Sequence, residues 1–159
     1  MKLALKIVAG IVACLVLALM VLSVTGLEPQ GDRPGLWING LADAAPVNDW
    51  AYIDQIREIK VQTNTWYGLP HSVTTWCVAQ DGQLYLATSG ATTRSWPRNV
   101  ARDPHVRLKI GDRVFDRVLQ VVTDPAEKEA VLRTRAKKYS QPYPPPAGVS
   151  FTVYHAVTQ

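Results

Sequence analysis

From Ile7 to Gly26 the chain runs for twenty residues without a charged side chain. That is about the length an α-helix needs to cross the hydrocarbon core of a bilayer. A segment of this kind cannot share the surface of a water-soluble domain, so it sets the first 26 residues apart from the rest. Two readings are open, a cleaved signal peptide and an uncleaved anchor. The run is longer than the 7–15 apolar residues of a signal core, and no A-x-A cleavage site follows, which favours the anchor. Lys2 and Lys6 precede the run, whereas Glu28, Asp32 and Arg33 follow it. The positive-inside rule then predicts a single-pass protein of the inner or cytoplasmic membrane, with its N-terminus in the cytoplasm and its domain outside.

The formal charge of +4 includes those two lysines, and without them 15 basic residues stand against 13 acidic ones. The basic residues are scattered, which argues against nucleic acid as a partner. Cys14 lies in the apolar run and Cys77 in a β-rich stretch, so no bridge between them is expected. No Cys/His spacing suggests a metal site. No nucleophile triad or carboxylate pair stands out either, and catalytic residues remain unassigned.

Residues 27–49 are rich in proline and glycine and read as a stiff linker between the anchor (1–26) and a domain (50–159). Within it, Leu36, Trp37 and Ile38 are expected to pack on the domain edge, the other reading being Trp37 at the membrane interface. Ile59, Val61 and Thr63 alternate with Lys60 and Gln62 as a strand. In Ser72–Gln80, Val73, Thr75 and Cys77 share one face and Thr74, Trp76 and Val78 the other. Asp81-Gly82 then turns this strand into an antiparallel partner, Leu84–Thr88.

Next, Thr88, Ser89, Gly90, Thr92, Thr93, Arg94 and Ser95 crowd hydroxyls and a guanidinium ahead of a short helix. Such a stretch suits an anion, because first-turn amides are unpaired and the helix dipole favours negative charge. Ser95 is the expected N-cap and Asp103-Pro104 the stop. Val106, Leu108 and Ile110 form a half-buried strand, and Gly111-Asp112 turns it back. In Arg113–Thr123, Phe115, Leu119 and Val121 share one face and Val114, Val118 and Val122 the other. Apolar residues on both faces point to barrel closure or a subunit contact.

Asp124, Pro125 and Glu127 make a capping-box start to a second helix, with Ala126, Ala130, Val131 and Thr134 as its buried face. Arg135, Lys137 and Lys138 lie near its C-terminal end, where the dipole favours cations. A polyproline stretch, Gln141–Gly148, leads to a closing strand with Phe151, Val153, His155 and Val157 in alternation. His71, His105 and His155 show no ligand spacing and read as solvated or satisfied. About six strands in hairpins, with a helix inserted mid-sheet, suit a small closed barrel.

Trp96-Pro97-Arg98-Asn99-Val100-Ala101-Arg102-Asp103-Pro104, followed by His105-Val106-Arg107-Leu108, carries a resemblance. With the hairpins on both sides it resembles the split β-barrel superfamily of flavin and deazaflavin oxidoreductases, typified by pyridoxamine 5′-phosphate oxidase, over about residues 59–157. The W-x-x-N form is nearer the deazaflavin branch. The resemblance implies a mainly β (α+β) fold, a six-stranded antiparallel split β-barrel with two short helices, here after one N-terminal transmembrane helix. It implies a homodimer, or a subunit of a membrane complex, binding FMN or a deazaflavin and passing hydride or electrons to a small substrate. Carried over by position, the cofactor-binding residues are Thr74, Trp76, Thr88, Ser89, Arg94, Ser95, Trp96, Arg98 and Asn99.

The chain departs from the pattern in two places. Thr74-Thr75-Trp76 is neutral where oxidases of the superfamily carry a cation, and only Arg94-Ser95 stands where an Arg-Lys pair is expected. A non-catalytic accessory or ligand-binding split barrel is therefore the alternative. Arg94 is open between a phosphate clamp and an exposed turn residue. Trp96 and Asn99 are open between ligand and structural roles, and Trp76 between a flavin ring and the core.

Overall fold

The structure, a computed structural model, describes residues 2–42, 47 and 49–158. Of the 27–49 stretch, residues 43–46 and 48 therefore lie outside the described residues. Helix α1 (Lys2–Thr25) has none of its side chains buried. It is long and apolar enough to cross a membrane, as a signal sequence would also be.

Among the described residues seven strands follow: β1 (Leu41–Ala42), β2 (Glu58–Asn64), β3 (Pro70–Gln80), β4 (Gln83–Ser89), β5 (His105–Ile110), β6 (Arg113–Val121) and β7 (Phe151–Val157). Helix α2 (Ser95–Arg102) lies between β4 and β5, and α3 (Pro125–Lys138) between β6 and β7. The sheet order is β1-β6-β5-β2-β3-β4-β7, and β7 pairs again with β6. Strands β2 to β7 thus close into a six-stranded antiparallel barrel, with β1 added in parallel to β6.

Alternation drives the closure. In β2 and β5 the buried positions, Ile59, Val61 and Thr63 or Val106, Leu108 and Ile110, recur every second residue. They meet Leu84, Leu86, Phe115, Leu119 and Ala156 inside the barrel. Trp50 sits on the same core and packs edge-on against Phe115 at 5.1 Å. The β3–β4 turn has φ of 51° at Asp81 and 74° at Gly82, the left-handed pair that a two-residue hairpin needs.

A second apolar cluster forms outside the barrel, where Val131 of α3 meets Val78, Tyr85, Ala87, Val122 and Val153. Of the second apolar face expected for β6, only Val122, just beyond the strand, lies under α3; Val114 instead faces the β1 side, where it pairs with Ala42.

Several expected details differ. Val121, expected on the inner face with Phe115 and Leu119, is 55% exposed at the end of β6, although it pairs with Tyr154. Helix α2 begins at Ser95 itself, so Arg94 occupies the cap position, and its side chain makes no capping bond to the helix. Asp124 does cap α3, accepting from the Glu127 amide at 3.0 Å. The Glu127 carboxylate, however, accepts the Tyr85 hydroxyl at 2.8 Å. The buried residues of α3 are Val131, Arg135 and Ala136, whereas Ala126 is exposed and Ala130 and Thr134 are half-buried.

The segment after α1 is bound to the barrel. Gly35 exchanges backbone hydrogen bonds with Ser72 at 2.8 and 3.0 Å. Ile38 is fully buried, and its amide donates to the Gln62 side chain at 2.8 Å. Trp37 is half-buried beside it.

Candidate functional site

A cleft of about 660 Å³ opens at the side of the barrel. Its walls come from five places: the loop Gly31–Pro34, Glu58 at the start of β2, strand β3, the end of β4 with the turn into α2, and α3 with the chain after it. Five stretches far apart in sequence therefore meet around one space.

The β4–α2 turn is shaped by Gly90, whose φ of +72° lets the chain fold back sharply. The amides of Thr93 and Arg94 both donate to the Gly90 carbonyl, at 3.0 and 3.1 Å. Thr88 is buried and its hydroxyl donates to the Ser89 carbonyl at 3.1 Å. Arg94 is exposed, and its Nε donates to the same carbonyl at 3.2 Å. With no side-chain cap at Arg94, the leading amides of α2 are free to serve a ligand or water.

Of the nine residues singled out from the sequence, Thr74, Trp76, Thr88, Ser89, Arg94, Ser95 and Trp96 line this cleft. Trp76 stacks on Tyr139 with ring centroids 4.4 Å apart and planes within 9°. Trp96 is buried and tilts against Tyr154 at 5.4 Å, so it belongs to the barrel core as well as the cleft. Arg98 and Asn99 sit elsewhere: Arg98 is exposed, and Asn99 donates from Nδ2 to the Thr63 hydroxyl at 3.0 Å. That hydroxyl in turn donates to the His71 carbonyl at 3.1 Å, so Asn99 ties α2 to β2 and β3.

Two of the other lining residues depart from their sequence reading: His71, expected to be solvated or satisfied, and Arg135, expected only to complement the helix dipole. His71 turns its ring into the cleft wall with Nδ1 buried and unpartnered, and burial pushes its pKa down. Arg135 is the larger departure. It is only 8% exposed, with its guanidinium carbon 4.4 Å from the Phe151 ring centroid and 5.0 Å from that of Trp76. Nη1 donates to Gln141 Oε1 at 2.7 Å, while Nε is buried without a partner. Burial pushes its pKa down, partly offset by Tyr139. The guanidinium nevertheless stays charged. The available signal was the spacing of Val131, Arg135 and Tyr139, one helical turn apart on a buried stripe.

Chemically, the cleft offers hydroxyls, amides and guanidinia for an oxyanion, beside indole walls that accept a flat apolar group. Among the described residues no group of three His, Cys, Asp or Glu side chains converges as a metal site would require. The volume falls within the few hundred to about a thousand Å³ usual for small-molecule pockets.

No family model matches the sequence, and no curated protein does. Solved structures do. The conserved hypothetical protein Rv2991 from Mycobacterium tuberculosis superposes with a TM-score of 0.54 at 22% identity, over 74% of this chain and 85% of its own. An F420 reductase gives 0.53 at 19% identity, over 72% of this chain and 96% of its own. A pyridoxamine 5′-phosphate oxidase-like protein from Listeria innocua gives 0.52 at 19% identity, over 67% and 87%. At such identities the likeness is one of fold, and the chain shares the split β-barrel fold of these structures.

Proposed function

We propose that the protein is a membrane-anchored, flavin- or deazaflavin-binding oxidoreductase-like protein acting on a small substrate. The observation that carries this reading is the convergence of seven sequence-designated residues on one cleft of about 660 Å³. The fold it shares with F420-dependent reductases and oxidase-like proteins supports the same cofactor class.

In this reading Thr88, Ser89, Arg94, Ser95 and the leading amides of α2 take the phosphate oxygens. Thr74 supplies a further hydroxyl, and Trp76 and Trp96 exclude water beside the ring. Arg98 and Asn99 act through α2: Asn99 holds the helix, and Arg98 stays at the surface. A bound flavin or deazaflavin supplies the hydride chemistry, leaving position and electrostatics to the chain.

Titrating the detergent-solubilised full chain with FMN and with a deazaflavin, read by fluorescence, tests this. Saturable quenching is expected; no binding of either, with no chromophore carried through purification, overturns it.

One observation favours a second reading, a non-catalytic ligand-binding or accessory subunit of a membrane complex. Strand β3 brings no Arg or Lys to the cleft, only His71, Val73, Thr74, Thr75 and Trp76. Stable co-purification with a larger membrane protein, without flavin, would select it.

A further inference from the structure

Burying a cation costs free energy unless negative charge or hydrogen bonding replaces the lost water. Among the described residues, Arg135 has an amide on Nη1 and aromatic rings around it, but no carboxylate. Other buried or half-buried cations donate to a carboxylate or a backbone carbonyl: Lys60 and Lys109 share Glu28, Arg107 binds Asp116, Lys138 donates to the carbonyls of Ile53 and Cys77, and Arg117 donates to that of Asp116. The rings and Gln141 hold the Arg135 guanidinium in place without neutralising it. Its Nε hydrogen, one half of a two-pronged edge that fits an oxyanion, has no partner.

The position of that edge matters. Phe151, 4.4 Å from the guanidinium carbon, is the register partner of Ser89 across the β4–β7 pair. Arg135 therefore stands at the hydroxyl-rich end of the cleft. Arg94 and Arg33, which also line it, are exposed, and their charges are screened by water.

We propose that Arg135 is the principal phosphate-binding cation of the cleft, a pre-positioned guanidinium delivered by α3 that takes the phosphate of the flavin-type ligand together with Ser89 and Thr88. This rests on the cofactor reading above, so its test separates the two. The detergent-solubilised full chain is titrated with FMN and with riboflavin, which lacks the phosphate, by flavin fluorescence. Inorganic phosphate is added separately in thermal melts. The wild type is expected to prefer FMN. Arg135→Gln should weaken FMN by about tenfold to a hundredfold, the worth of a charge-assisted hydrogen bond. Riboflavin affinity should stay within about twofold, because the ring contacts persist.

Equal losses for both flavins, or no loss for FMN, would mean that Arg135 only packs, and would overturn the proposal. If the wild type binds neither flavin, the cofactor reading fails. The proposal then stands only if phosphate raises the melting temperature of the wild type and not of Arg135→Gln. Should Arg135→Gln fail to fold, Gln141→Glu keeps the arginine between its rings and supplies the missing charge. That variant should melt higher than the wild type and bind FMN more weakly; a lower or unchanged melting temperature would show that the guanidinium lacks nothing, and would overturn the proposal.

Discussion

Glu28, just beyond the apolar helix, and Lys109, in the last turn of pairing on β5, form an ion pair at 2.5 Å across 81 residues of sequence. Lys60 binds the other oxygen of the same carboxylate. Together they fasten the start of the Gly31–Pro34 loop, one wall of the cleft, to the barrel. Burial pushes the Glu28 pKa up, but hydrogen bonds and attraction from Lys109 and Lys60 outweigh it, and the carboxyl lies below its ordinary value. A depressed folded pKa gives stability that is present above the unfolded value near 4.5 and lost as pH falls through the folded one. Glu28→Gln should cost roughly 1 kcal/mol at neutral pH, the upper range for pairs with solvent access. The difference from wild type should vanish in melts at the acid end, below that window.

Gly35 carries the second fastening. A Cβ there would meet the Leu27 carbonyl at 2.2 Å and the Pro29 nitrogen at 2.6 Å, both backbone atoms. Neither can yield without opening the turn. Gly35→Ala should therefore dislodge residues 27–38 from β3, cost about 1–3 kcal/mol as overpacking does, and expose that stretch to limited proteolysis. Unchanged cleavage there would show that the segment is not held by the Gly35–Ser72 pairing.

Much of the barrel was legible because its strands are amphipathic at a period of two and its turns are chemically marked. Asp81-Gly82 and Gly111-Asp112 name their own hairpins, and Asp124-Pro125 names the start of α3. The polar turn from Thr88 to Ser95 announced the cleft for the same reason, its chemistry being local. Arg135 could not be placed in this way. Near the end of a helix an arginine has a sufficient local explanation in the dipole, and only the packing of α3 on β3 and β7 turns it inward. Asn99 shows the converse. Its motif was visible, but whether the amide faced a ligand or Thr63 depended on how α2 sits on β2. The segment after α1 was misleading in composition alone: proline and glycine suggested a tether, whereas Pro29, Gly35 and Ile38 are buried against the barrel.

Asn99→Ala separates scaffold from ligand contact. It removes the donor to Thr63, whose hydroxyl is fully buried. The loss should cost about 1–2 kcal/mol in a denaturant melt. Because Asn99 does not line the cleft, FMN affinity measured well below the melting transition should change by less than about threefold, under 1 kcal/mol. A large affinity loss with intact stability would place the amide on the ligand instead.

Tyr139 closes the gap that β2 leaves. Strand β2 begins at Glu58, opposite Trp76, so the next residue of β3, Cys77, has no strand partner on that side. The Tyr139 hydroxyl fills the place: it accepts from the Cys77 amide at 3.1 Å and lies 2.7 Å from the carbonyls of both Arg57 and Cys77, to one of which it donates at a time. Tyr139→Phe keeps the ring on Trp76 but leaves a buried amide without an acceptor, which should cost about 1–3 kcal/mol. The pH dependence gives a second readout. Burial, the first cause, and the neighbouring Cys77 push the hydroxyl pKa well above its ordinary value of 10. A raised folded pKa contributes stability that is fully present below the unfolded value and lost as pH rises toward the folded one. The wild-type advantage over Tyr139→Phe should thus be constant through neutral pH and shrink above pH 10, where the unfolded chain releases this proton first. A constant gap up to pH 11.5, roughly a unit and a half past the unfolded value, would mean that the hydroxyl ionises as readily folded as unfolded, and that it is not sealed between β2 and β3.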